Sequence, residues 1–163
     1  MSSKSDRRDY GHLSRQIKAW GLELGFDQVG ITDTDLSQAE TRLKQWLEKD
    51  FHGEMAYMAR HGSKRSRPAT LQPGTRRIIS VRMDYLPEPL TQSLAVLADP
   101  LQAFISRYAL GRDYHKVLRK RLQQLASRIE QATGPFAHRV FVDSAPVLEK
   151  PLAEKAGLGW IGK

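Results

Sequence analysis

Residues 78–85, IISVRMDY, constrain the fold more than any other stretch. Ile79, Val81, Met83 and Tyr85 fall on one side of an extended chain, and Ser80, Arg82 and Asp84 on the other. A period of two marks a strand with one buried face. Such a face needs a covering layer, and amphipathic helices lie before and after it in sequence. Leu13, Ile17, Trp20 and Leu24 share one helix face, and Gly25 offers a stop. Leu118, Leu122, Leu125 and Ile129 mark the longest helix, with Asp113 near its start and Gly134–Pro135 after its end. Arg119, Lys120, Arg121 and Arg128 decorate the outer face of that helix. Ser37 and Glu40 have the spacing of a capping box ahead of Leu43, Trp46 and Leu47.

Shorter alternations predict three more strands: residues 27–31, residues 104–109, and residues 140–142 with Asp143 at the exit. Helices between separated strands, without a βαβ rhythm, predict an α+β architecture, a β-sheet flanked by helices. Residues 60–77 are basic and broken by proline and glycine, the pattern of a loop. Residues 86–100 hold three prolines and read as a flexible excursion. A polar tail, 1–10, is expected to precede one domain over residues 11–163, which is long enough to bury a core.

Composition excludes several classes. No apolar run approaches the ~18 residues of a membrane span. The chain contains no cysteine, so it offers no disulfide, no thiolate nucleophile and no iron–sulfur ligand. A cytoplasmic monomer is the expectation. A formal charge of +8 favours an anionic partner, nucleic acid above all, against the plainer reading of a lysine- and arginine-rich solvated surface.

The motifs taken singly are ambiguous. Gly157, Gly159 and Gly162 spell G-x-G-x-x-G, but a helical segment rather than a strand precedes them. A dinucleotide site requires the reverse order. Asp113 and His115 open a D-x-H-x-x-G cobalt-binding pattern whose last position is Leu118 instead of glycine. His115 therefore reads as a helix-surface residue, and the histidine spacings predict no metal site. Asp113 and Asp143 are acids at element ends. Each is a cap or a solvated charge unless a neighbouring cleft turns it to proton transfer.

Four phrases together carry more weight: ITDTDL (31–36), HGEMAYMARHG (52–62), SRYALGRDYHKVLRKRL (106–122) and FVDSAPVLEKPLAEKAGLGWIGK (141–163). They resemble the epoxyqueuosine reductases, from about Leu13 onward. The resemblance implies the N-terminal, cobalamin-binding domain of an oxidoreductase of queuosine biosynthesis. It also implies a fold like the cobalamin-binding domain of reductive dehalogenases. The implied reaction reduces epoxyqueuosine to queuosine at the wobble position of a tRNA. Two [4Fe–4S] clusters in a following ferredoxin-like domain, absent from this chain, would deliver electrons.

By the same resemblance, Asp143 would be the proton donor and Asp113 a second active-site acid. Arg60, Ser106, Arg107, Asp143, Lys150, Trp160 and Lys163 would line the cobalamin. Ser106 stands where some members carry cysteine, and it offers a hydroxyl instead of a thiolate. The implied partners are a tRNA anticodon stem-loop and an electron donor acting through the iron–sulfur domain. These residues alone would not turn over. Two other classes stay open at this level: a non-catalytic cobalamin-binding or trafficking module, and a basic RNA-binding domain without cofactor.

Overall fold

A computed structural model describes residues 9–86 and 88–162. In chain order its elements are α1 (Tyr10–Glu23), β1 (Gln28–Thr32), α2 (Ser37–Glu48), α3 (Tyr57–Arg60), α4 (Pro68–Leu71), β2 (Ile78–Arg82), α5 (Leu90–Ala98), α6 (Tyr114–Thr133) and α7 (Glu149–Lys155). Short 3₁₀ turns span Gly62–Arg65 and Arg107–Ala109. The tail expected at 1–10 lies outside the described residues up to position 8. Tyr10 already belongs to α1, and Asp9 caps it, its carboxylate accepting from the His12 N–H at 2.9 Å.

The two strands pair antiparallel, with Val29 opposite Val81 and Ile31 opposite Ile79. These four side chains share one sheet face, as the period of two requires. They pack against Ile17, Leu125 and Ile129, with Leu13, Trp20 and Leu24 at the margin. The core is therefore the seam between the sheet, α1 and α6. Burying one such aliphatic side chain contributes roughly 1.5–3 kcal/mol.

Two glycines set the layer spacing. A Cβ on Gly21 would lie 2.3 Å from a Val29 methyl, so glycine lets α1 rest directly on β1. On the opposite face, a Cβ on Gly30 would come within 2.5 Å of the Ala156 carbonyl oxygen, where α7 ends against the sheet. Leu152 is the buried anchor of α7. The result is a small sheet between helices, a mixed helix-and-sheet fold.

Several expectations need correction. Residues 104–109 form no strand. Arg107 to Ala109 make a 3₁₀ turn, because the Arg107 side chain turns inward to α5 instead of alternating along a ladder. Residues 140–142 are not a strand either. Val142 is buried, but the chain then kinks at Asp143, whose φ of +54° ends any extended run. Residues 86–100 contain helix α5, since Pro89 and Pro100 bracket the helical run and none interrupts it. The basic 60–77 stretch is built largely of short helical turns. β2 ends at Arg82, leaving Met83 and Tyr85 free of the ladder.

The expected capping box is absent. α2 begins at Ser37 itself, and Asp35 accepts from the Ser37 N–H at 3.0 Å. Glu40 turns to other partners. It accepts from Arg67 Nε and Nη2, each at 3.1 Å, and from the buried Ser66 hydroxyl at 2.8 Å, and it pairs with Lys44 at 2.9 Å. Arg65 is also structural. It is buried and donates to the carbonyls of Met58 (3.1 Å) and Tyr57 (2.8 Å).

Candidate active site

The first turn of α6 gathers the chemistry. Asp113 caps this helix, as an acid at a helix N-terminus does. One of its oxygens accepts from the His115 backbone N–H at 3.0 Å and lies 3.0 Å from His115 Nδ1. The other ring nitrogen of His115, Nε2, faces an Asp143 oxygen at 3.6 Å. The Tyr114 phenol donates a hydrogen bond to that same Asp143 oxygen. The Tyr114 and His115 rings stack at 4.0 Å. Asp113, His115, Asp143 and Tyr114 thus form one continuous chain of polar contacts.

Backbone geometry presents Asp143. Its φ of +54° is left-handed, a region that aspartate enters more readily than most residues. The kink turns its carboxylate away from the buried Val142 and leaves the side chain half exposed.

An aromatic series leads away from this cluster. Tyr114 meets Tyr108 edge-on at 6.0 Å, and Tyr108 meets Tyr85 edge-on at 6.3 Å. These three rings, with Met83 and Leu118, line a cleft of about 340 Å³. Its walls are nearly all apolar, and Tyr114 belongs both to the cleft and to the Asp143 cluster.

The electrostatics separate the members. The hydrogen bond to Asp143, then partial desolvation and the Asp143 charge, push the Tyr114 phenol up to about 12. It therefore stays a protonated donor at neutral pH. His115 holds the Asp113 carboxyl below the usual carboxylate range, first through its side chain and then through its backbone N–H. Glu149, at the start of α7, is raised by desolvation and by the negative charge of Asp143.

The other residues singled out from the sequence fall as follows. Arg60 is exposed at the end of α3, and Lys150 is exposed on α7. Ser106 is exposed just before the 3₁₀ turn. Arg107 is largely buried: its Nε donates to Ser93 at 2.9 Å, and its Nη2 has no partner among the described residues. Trp160 is 86% exposed. Lys163 lies outside the described residues. Contact with Tyr108 brings the turn that carries Arg107 beside the Asp113–Asp143 cluster. Among the described residues, no hydrogen bond links Arg60, Lys150 or Trp160 to that cluster.

Sequence reasoning missed Tyr85, Tyr108 and Tyr114 and left His115 as a surface residue. The available signal was the D-Y-H order at a helix start, which places three polar side chains on one first turn. The two carboxylates approach opposite edges of the imidazole, so they cannot close on one ion with it. No group of three or more potential ligands is placed to hold a metal among the described residues.

Comparison with known proteins bears on this cluster. Residues 65–144 match a family model described as "Epoxyqueuosine reductase QueG, DUF1730". The chain is 65% identical over 155 residues to the epoxyqueuosine reductase of Pseudomonas aeruginosa, covering 95% of this chain and 43% of that protein. It is 58% identical over 159 residues to the one from Escherichia coli, covering 98% of this chain and 42% of that protein. The solved structure of epoxyqueuosine reductase from Streptococcus thermophilus superposes with a TM-score of 0.71 at 25% identity, over 93% of this chain and 40% of that one. A crystal structure of epoxyqueuosine reductase with an epoxyqueuosine-modified tRNA-Tyr stem loop shares the fold, with a TM-score of 0.70 at 20% identity. The chain spans less than half the length of these relatives. The matched block contains Asp113, Tyr114, His115 and Asp143, and over nearly its whole length the chain is similar to part of the epoxyqueuosine reductases.

Proposed function

We propose that this chain is the substrate-facing part of an enzyme that reduces epoxyqueuosine to queuosine at the wobble position of tRNA in the cytoplasm. The observation that carries this reading is the presentation of Asp143. A half-exposed carboxyl group, kinked out of a buried segment, meets a neutral donor and an imidazole beside an aromatic cleft. Opening the epoxide to an alkene consumes two electrons and two protons and releases the oxygen as water. A carboxylic acid beside the breaking C–O bond supplies a proton where negative charge develops. Tyr114 orients that acid by holding one oxygen, which leaves the other free for the substrate. The apolar walls beside it exclude water.

Cobalamin is the implied redox group, and the residues present fit it in part. The cleft is too small to enclose a corrin, but its aromatic wall offers a flat apolar rest. The partnerless Arg107 Nη2 is a buried donor suited to an amide oxygen. Arg60, Ser106, Arg107, Lys150 and Trp160 would hold the group, in a fold of the reductive-dehalogenase type. When bound, cobalamin supplies the two-electron reductive chemistry. With no cysteine in the chain, iron–sulfur clusters that feed it would be ligated elsewhere in a longer polypeptide. The tRNA anticodon stem-loop is the proposed partner, met by the exposed basic residues of a chain with net charge +8.

The test is Asp143→Asn in the full-length enzyme, with epoxyqueuosine reduction measured on tRNA. A loss of about 10²–10⁴-fold with unchanged tRNA binding is expected. Near-normal turnover removes Asp143 as the donor.

A further inference from the structure

We propose that His115 is the relay that returns a proton to Asp143 after each turnover, with Asp113 fixing its ring. This rests on the reading of Asp143 as the proton donor. The geometry carries it. Asp113 engages Nδ1 at 3.0 Å, which fixes the neutral tautomer with the proton on Nδ1 and turns Nε2 toward Asp143. The separation of 3.6 Å closes to a hydrogen bond with a small ring rotation, and such contacts are often long before substrate binds. The His115 side chain is 46% exposed, so solvent reaches it while it touches the donor.

Asp143 supplies one of the two protons of each turnover and solvent the other, and with that the proton count closes. Asp143 gives its proton to the departing oxygen and becomes a carboxylate. The imidazolium passes its Nε2 proton to the carboxylate oxygen that Tyr114 also holds, while Nδ1–H stays on Asp113, and a half-turn of the carboxyl group then presents that proton on the substrate side. Water then reprotonates Nε2. No electron moves in these steps, and no further reactant is needed.

The neighbours do not offer a better source. The groups facing this pair are Asp113, Tyr114 and Lys116 on α6, Tyr108 on the preceding turn, and Glu149 on α7. Tyr114 keeps its proton to about 12 and only donates a hydrogen bond. Asp113 is held ionised and so orients the ring without supplying the proton. His115 acts through Asp143 and is a positioning and relay residue.

The experiment uses the full-length, cofactor-loaded enzyme with electron donor and epoxyqueuosine-containing tRNA in excess. For His115→Gln, the first turnover should keep near-normal speed and the following ones should slow at least tenfold. Added imidazole should restore the steady rate in His115→Ala. ¹⁵N NMR of the same protein without substrate gives a readout independent of turnover. The neutral His115 ring should carry its proton on Nδ1, and Asp113→Asn should remove that bias. An unchanged steady rate in His115→Gln overturns the relay, and so does equal slowing of first and later turnovers without imidazole rescue. Normal turnover of Asp143→Asn would instead remove the donor itself, so the two failures are distinguishable.

Discussion

Two carboxylates in this fold sit in opposite surroundings. Glu40 is a buried acid gripped by a two-pronged guanidinium, an ammonium and a buried hydroxyl. Asp143 is half exposed, with one neutral phenol on it, an imidazole 3.6 Å away and the acid Glu149 beside it. Hydrogen bonds from Arg67, then Lys44, then Ser66, push Glu40 down to about 2. An acid ringed by fixed cations is locked as an anion and can only tie elements together. An acid flanked by neutral or titratable partners can gain and lose a proton. The difference separates a structural clamp from the proposed chemical site, although both read in sequence as acids at element ends.

Exchanging the charge at each site is the strongest way to break the contrast. Asp143→Asn should abolish reduction by the margin given above while leaving the melting temperature nearly unchanged, since its contacts are peripheral. Glu40→Gln should do the reverse. It strands Arg67 and Ser66 without their anion, so the melting temperature falls while the rate per folded molecule holds. Thermal unfolding and turnover, measured on both variants, decide it. Comparable loss of activity from Glu40→Gln would mean that the clamp is part of the site.

A smaller effect sharpens the same comparison through pH. The folded-state value for Glu40, about 2, lies below its ordinary 4.5. Between those values the unfolded chain binds more protons, so stability rises with pH there. The contribution is fully present above about 4.5 and is lost as pH falls toward 2. Denaturant unfolding across this window should show a slope that Glu40→Gln flattens. An identical slope in the variant would show that the three partners do not hold the anion.

Much of the scaffold was legible because helices and paired strands repeat their contacts. Ile17, Leu125 and Ile129 recur at helical spacing, and Val29, Ile31, Ile79 and Val81 at strand spacing, so burial followed from period. Residues 104–109 and 140–142 alternate as well, but alternation does not supply a neighbouring strand. The site was half legible. Asp113 and Asp143 stand out as acids at element ends, whereas the link between them, Tyr114 and His115, exists only once residues 29 positions apart meet. Arg121 shows the same limit. Its position is on the outward side of α6, yet its long side chain reaches back to the Gly25 carbonyl at 2.7 Å and to Met83. Reversing its charge would therefore damage the α1–α6 seam, and Arg119 and Lys120, both exposed, are the cleaner probes of an RNA face.

The finest test concerns the phenol that distinguishes the Asp143 site. Tyr114 is raised from its ordinary 10 to about 12, mainly by its bond to Asp143. A phenol is neutral when protonated, so a raised value means that the folded state holds the proton longer. The stabilisation is fully present below about pH 10 and fades as pH climbs to 12. Near-ultraviolet absorbance should show one of the five tyrosines ionising last, and Tyr114→Phe should delete that step. Asp143→Asn should move it down, because an amide removes the negative charge that opposes ionisation. Tyr114→Phe should also slow reduction only a few-fold, since it loosens the proposed donor without removing it. If the late step survives Asp143→Asn in place, the phenol is not reporting on Asp143, and the contrast with the Glu40 clamp loses its chemical half.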